Sequence, residues 1–283
     1  MSAVTACGRG SHGSALTAAR TLTVHTGNVV NRGALRNKYG SSPSEELVDC
    51  VRSTLSDWAS KLDGGESPSC LAQDVCVCPG TEKISAEDRD DLKITAKIFL
   101  LGGDAQVIKP AVEKVPEEAP STHACMALGV SLLDAVVLAP PPLPEEEKLT
   151  ADRLSPYWAE LESLIAAHKV ATIGTSDLDS QLLEELYHWA QVKPASNQVN
   201  LASCCVMPPE LTAFAKEYDI QLLTHNDPTE ILPTKSFQDM VATVAPEQAE
   251  VWTPLWVLRY SVIIKCRGVL KSKGYFLQAR RDA

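Results

Sequence analysis

Residues 170–200, VATIGTSDLDSQLLEELYHWAQVKPASNQVN, hold the pattern on which the fold turns. VATIGTS (170–176) is a short strand-like run. DSQLLEELYHWAQ (179–191) follows, with a helical pattern and an acidic start at Asp179. SNQVNLAS (196–203) is a second extended run. Strand, helix and strand in that order imply two parallel strands joined by a crossover helix.

The same alternation extends in both directions. TLTVHTG (21–27), DVCVCP (74–79), KITAKIFL (93–100), DAVVLAPP (134–141), DIQLLTHN (219–226) and YSVIIKCR (260–267) are further strand-like runs. Several are continuously apolar, which suits strands buried on both faces. Helical patterns lie between them. In the one at 42–62, Leu47, Val51, Leu55, Trp58 and Leu62 form a single apolar face. Others fall at 121–132, 150–169, 208–218, 234–245 and 253–260, and Ser85 with Asp88 resembles the start of a shorter helix. Trp252, Trp256 and Tyr260 read as core. Eight strand–helix units in roughly 250 residues match a closed (β/α)₈ TIM barrel. An open doubly wound sheet is the alternative. Residues 1–19, rich in small side chains, are expected to be a flexible N-terminal tail, and 20–283 a single barrel domain.

Composition narrows the function. Of 283 residues, 45% are apolar, enough for a sizeable core. Asp plus Glu number 36 against 26 Lys plus Arg, a net charge of −10. Nucleic acid and anionic membranes prefer a basic face, so neither is an expected partner. The longest apolar stretches are far short of the roughly 20 residues that span a bilayer. No secretory pattern is read at the N-terminus. Nine cysteines, at 7, 50, 70, 76, 78, 125, 204, 205 and 266, then point to a reducing, cytoplasmic setting.

The cysteines leave several readings open. Cys204 and Cys205 are adjacent, so on an extended strand they face opposite ways and would rarely bond each other. They stand either at a barrel rim ahead of a helix N-terminus, where thiols are more reactive, or as two small buried side chains. No metal site is expected. CVC (76–78) is the other close pair, and the sequence places no histidine near it. GVLKSKGYFLQARR (268–281) is both apolar and basic, and reads as a partner-docking tail or as closure of the barrel bottom.

The opening stretch resembles aldo-keto reductases, whose pattern there is roughly I-G-V-S-N-F, a helix, then P-x-x-N-Q. DDLKITAKIF resembles their third strand, LLDAVVLAPPP their fourth, and SVIIKCR their last. That resemblance implies four catalytic residues: a Tyr acid, a Lys that lowers its pKa, an Asp that holds the Lys, and a His. Lys97 takes the Lys position, but Ala139 stands where the His belongs, and VCVCPGTE supplies neither Asp nor Tyr. A carbonyl taking hydride needs a positioned acid. Lys97 is thus expected to be vestigial and under-partnered, and reduction lost; an atypical NADPH-dependent reductase is the rival reading. For the dinucleotide, Ser176 and Gln198 match the family. Asp177 replaces its amide-binding Asn and His225 its stacking Tyr, while Lys265 and Arg267 offer cations for a 2′-phosphate. These residues are either a vestigial NADP(H) site or inherited packing, and no cofactor is required.

A second resemblance is closer, to the regulatory (modifier) subunits of glutamate–cysteine ligase. It rests on HTGNVVNRGALR, SEELVDCVRSTLSDWAS, IGTSDLD, QVNLASCCVMPP, LTAFAKEYDIQLLTHNDP and LRYSVIIKCRGVLKSKGY, from about residue 20 to the C-terminus. It implies a non-catalytic chain that forms a heterodimer with the catalytic subunit, favours glutamate binding and relieves feedback inhibition by glutathione. It also implies an intersubunit disulfide, with Cys204 and Cys205 as first candidates and Cys266 next. No G-x-x-x-x-G-K-[ST] is present, so ATP binding by this chain is not expected.

Overall fold

The computed structural model describes residues 11–30, 42–63, 70–71, 74–79, 83–102, 104–113, 124–144, 146–200 and 206–282. Cys204 and Cys205 lie outside these, as does the first half of the expected tail. The second half is helical: α1 spans Ser11–Ala18, and Leu16 and Ala19 are buried. Leu16 belongs to the same apolar cluster as Leu22, Val24 and residues of the helix that follows.

β1 (Thr21–His25) leads to α2 (Pro43–Asp63), then β2 (Cys70–Leu71) and β3 (Asp74–Val77). The next strand is β4 (Leu92–Leu100), followed by α3 (Ile108–Val112), α4 (Ala124–Leu128) and β5 (Leu133–Ala139). α5 (Ala151–Ala166), β6 (Val170–Ser176), α6 (Ser180–Trp189) and β7 (Ser196–Asn200) come next. α7 (Pro209–Glu217), β8 (Gln221–His225) and α8 (Thr234–Ala242) precede a long pair, β9 (Trp252–Ile264) and β10 (Val269–Arg281). The hydrogen-bonded order is β2-β3-β1-β10-β9-β4-β5-β6-β7-β8. β4 to β8 are parallel and lie in chain order. This is an α/β succession on one mixed sheet, in which the parallel part alternates strand and helix as expected. In the opening stretch, Asp179 caps α6 by accepting from the Leu182 amide at 2.8 Å.

The C-terminal third differs from the sequence reading. Residues 253–260 are strand, not helix, and 268–281 are strand rather than a tail. β9 runs antiparallel to β4 and β10 antiparallel to β9, so the hairpin sits between β4 and β1 in the middle of the sheet. Gly268, at φ 62°, closes the turn, and its amide donates to the Ile264 carbonyl at 2.8 Å. A side chain there would strain the left-handed conformation that the turn requires.

Pleat alternation sorts the core into two clusters. On one face, Ile94, Ala96 and Ile98 of β4 and Trp256, Leu258 and Tyr260 of β9 pack with Leu154, Trp158 and Leu161 of α5. On the other, Leu22, Val24, Tyr275 and Leu277 pack with Leu47, Val51 and Leu55 of α2 and Phe237 of α8. The α2 stripe predicted from spacing is buried, apart from a half-buried Trp58. Lys97 and Phe99 project opposite to Ile98, and Phe99 joins the second cluster. That pleat carries a polar cluster where β6, β7 and β8 end.

Candidate functional site

Lys97 and Arg259 are direct cross-strand partners on β4 and β9. Like charges in that position repel, and both cations lie mostly out of water, with Lys97 4% exposed. Asp227, two residues past β8 and 2% exposed, resolves the conflict. Its Oδ2 accepts from Lys97 Nζ at 2.9 Å. Arg259 donates to both of its oxygens, at 2.5 and 2.9 Å. The two cations also lie 5.1 and 5.3 Å from the Phe99 ring centroid. Lys97 is therefore well partnered, contrary to the sequence expectation. Its Asp comes from the far end of the chain.

A second carboxylate lies across the cleft. Asp177 adopts φ 61°, a left-handed conformation that Asp tolerates better than most residues. Its amide donates to the Gln198 carbonyl at 2.7 Å. Its side chain accepts from the Asn200 amide at 2.9 Å, from the Ser176 hydroxyl at 3.0 Å and from His225 Nε2 at 3.0 Å. Ser176 in turn accepts from Lys97 Nζ at 2.9 Å. Asn200 donates its side-chain amide to the Asp227 carbonyl at 2.7 Å. His225 lies between the carboxylates, with Nδ1 3.3 Å from Asp227 Oδ2 and 3.1 Å from the Asp227 amide. In the neutral imidazole the proton belongs on Nε2, facing Asp177, so that Nδ1 can accept.

Burial sets the charges against one another. It pulls the Lys97 pKa below the usual lysine range, and Asp227 restrains that fall without cancelling it. Burial also opposes ionisation of Asp227, but hydrogen bonds from His225 and Arg259 and the nearby cations hold its carboxyl far below the ordinary range. Asp177 is lowered too, against burial, by its hydrogen bonds from His225 and Ser176 and the His225 charge. For His225, burial favours the neutral ring, yet the bonds to Asp177 and Asp227 outweigh it and raise the pKa. A raised histidine stabilises the fold fully below its unfolded pKa of about 6.5, and that stability is lost as pH rises through the folded value. The depressed aspartates act oppositely and matter only at much lower pH. Urea midpoints are expected to fall between pH 6 and 8, and His225→Gln to flatten the slope. An unchanged slope in that variant removes His225 as the cause.

Ser176, Asp177, His225 and Lys97 line a cleft of about 370 Å³ walled by Pro140–Pro142 and Leu143. Among the described residues no tyrosine hydroxyl bonds Lys97. The Tyr275 hydroxyl donates to Glu46 instead. The cluster is a buried ion network in which Lys97 donates to Ser176 and to Asp227.

The expected dinucleotide residues do not come together. Ser176 and His225 meet in the cluster, 3.2 Å apart. Gln198 contributes its backbone carbonyl. Lys265 and Arg267 lie in the β9–β10 turn, beside the start of β4, where Lys265 donates to the Asp90 carbonyl at 2.8 Å. The sequence reading assumed a last strand parallel to the others, ending on the same rim. Because β9 is antiparallel, its end lies on the opposite rim, about 16 Å along β4 from Lys97 by strand rise. Lys265 and Arg267 therefore do not share a site with Ser176 and His225. Cys266 is exposed in that same turn. Among the described residues there is no group of three or more metal-ligating side chains, and no helix is long and apolar enough to cross a membrane. Asp227, Arg259 and Asn200 escaped the sequence reading. The visible signals were an isolated Arg in the apolar run WVLRYSVII and the Asp of HNDP.

No protein-family model matches the chain. It is 19% identical to a crystallographic aldose reductase from Giardia lamblia, with TM-score 0.35 over 47% of this chain and 45% of that one, a likeness too low to carry an argument. A fission yeast protein described as a putative glutamate–cysteine ligase regulatory subunit is 23% identical over 278 residues, 91% of this chain and 96% of its own. The mouse glutamate–cysteine ligase regulatory subunit is 50% identical over 276 residues, 95% of this chain and 96% of its own. The human protein of that name is 50% identical over 271 residues, 94% and 95%. Identity of this degree over nearly the whole of both chains is common descent of the entire fold, and the chain belongs to the family of glutamate–cysteine ligase regulatory subunits.

Proposed function

We propose that the chain is a non-catalytic regulatory subunit that binds the catalytic subunit of glutamate–cysteine ligase in the cytosol, promotes glutamate binding and relieves glutathione inhibition. The names of its 50%-identical relatives support the regulatory role. The observation that carries the non-catalytic reading is Lys97, held by Ser176 and Asp227 rather than placed beneath a tyrosine. To act, the chain must bind the substrate-competent conformation of its partner better than the inhibited one. A coupling of about 1–3 kcal/mol corresponds to a 5- to 150-fold change in affinity.

Mixing the purified chains tests this. The KM for glutamate is expected to fall, and the inhibition constant for glutathione to rise, by at least about fivefold. The chain alone is expected to leave NADPH unoxidised with a panel of aldehydes. Unchanged ligase kinetics, with NADPH turnover abolished by Lys97→Met, supports the reductase instead. An intersubunit disulfide through Cys204, Cys205 or Cys266 belongs to the same reading. A linked band on a non-reducing gel should vanish when all three are serine.

A further inference from the structure

The CVC segment (76–78) has no histidine near it in sequence, yet the fold supplies one. β3 pairs in parallel with β1, Val77 opposite Val24, so Cys78 emerges beside His25. Cys78 Sγ lies 3.4 Å from His25 Nδ1. The imidazole is 1% exposed and stacks flat on Phe276, with centroids 4.0 Å apart and planes 6° from parallel, so its orientation is fixed. Cys78 itself is partly exposed.

Four other thiols, those of Cys50, Cys76, Cys125 and Cys266, lack this combination among the described residues. Cys50, Cys76 and Cys125 are buried. Burial pushes Cys76 up to about 12, with a further contribution from Cys78, and Cys125 up to about 11. Both stay protonated at neutral pH and are poor nucleophiles. Cys266 is exposed but shows no imidazole partner. A thiol reacts as its thiolate, so a base at hydrogen-bond distance matters as much as access.

We infer that Cys78 is a thiol–disulfide exchange site, with His25 as its base and small organic disulfides as its substrates. His25 Nδ1 takes the thiol proton as Cys78 Sγ attacks one sulfur of the disulfide. The Cys78–sulfur bond forms, the disulfide's own bond breaks, and the second sulfur leaves as a thiolate that recovers the proton from the imidazolium. The incoming disulfide is the oxidant, and the product is a mixed disulfide on Cys78.

The test uses the full reduced chain and 4,4′-dithiodipyridine, with each modified cysteine identified by peptide mass. At pH 7 Cys78 is expected to react at least about tenfold faster than Cys266, with the ratio narrowing toward pH 9 as an unassisted thiol ionises. His25→Phe keeps an aromatic ring against Phe276 and should bring Cys78 down to the rate of Cys266 or below. Should that variant not fold, the wild-type pH profile decides alone. A Cys78 rate at pH 7 no greater than that of Cys266, or one unmoved in folded His25→Phe, overturns the inference.

Discussion

Asp227→Ala is expected to lower the unfolding free energy by about 3–5 kcal/mol, the usual cost of leaving a buried charge without its partner. Two cations lose their counter-ion at once, since Lys97 and Arg259 both bond this carboxylate and face each other across the β4–β9 ladder. Asp227→Asn preserves the shape and isolates the charge. Its stability is expected to recover as pH rises toward 10. Lys97 already titrates below the lysine range through burial, and without Asp227 it falls further. Between the folded and unfolded pKa values the unfolded chain binds more protons, so stability rises with pH. The wild type shows a smaller rise, because Asp227 restrains the fall of the Lys97 pKa. Lys97→Met should cost less than Asp227→Ala, because Asp227 keeps Arg259 and His225. Urea unfolding at pH 7 and pH 9.5 measures all three. An Asp227→Asn variant whose deficit is equal at both pH values shows that Lys97 is not what Asp227 stabilises.

In this arrangement the lysine of the reductase-like pattern is kept, but its counter-ion comes from a different part of the chain. The family pattern places the Asp for Lys97 near the end of β3, where VCVCPGTE has none. The counter-ion instead lies 130 residues away in sequence, just after β8. Lys97 and Ser176 were legible because each occupies a fixed place in a recognisable strand. Asp227 and Arg259 were not, because their partnership exists only once β9 is laid against β4. His225 and Asp177 were visible as departures from a pattern, but their mutual contact was not.

The fold was legible where hydrophobic period and segment boundary agreed. Leu47, Val51 and Leu55 repeat every four residues and are buried in α2. The helix assigned to 253–260 failed because the true segment is longer. From Trp252 to Val262 every second residue is buried: Trp252, Pro254, Trp256, Leu258, Tyr260 and Val262. Cutting that run at Tyr260 left too few positions to separate a period of 2 from one of 3.6. The error carried into the site, since a final strand assumed parallel placed Lys265 and Arg267 on the wrong rim.

Trp256→Ala should cost about 3–5 kcal/mol, the range for removing a buried large aromatic. Trp256 is 1% exposed and sits on β9 between Leu100 of β4 and Gln278 of β10. A strand flanked on both sides cannot move to fill the space left, so relaxation is small and the cavity term large. Its Nε1 also donates to Gln278 Oε1 at 3.1 Å across the hairpin. Trp256→Phe keeps most of the packing and gives up that bond, for about 1 kcal/mol. Leu223→Ala is the contrast. Leu223 is 36% exposed on β8, which ends the strand order, and the change should fall within about 0.5 kcal/mol. Hydrogen exchange adds a local readout: in Trp256→Ala the amides of Leu258 and Tyr260 should lose protection in step with global stability, as those of a central strand do. A Trp256→Ala cost no larger than that of Leu223→Ala would mean that the hairpin is not an interior part of the sheet, and the opposite-rim placement of Lys265 and Arg267 would fall with it.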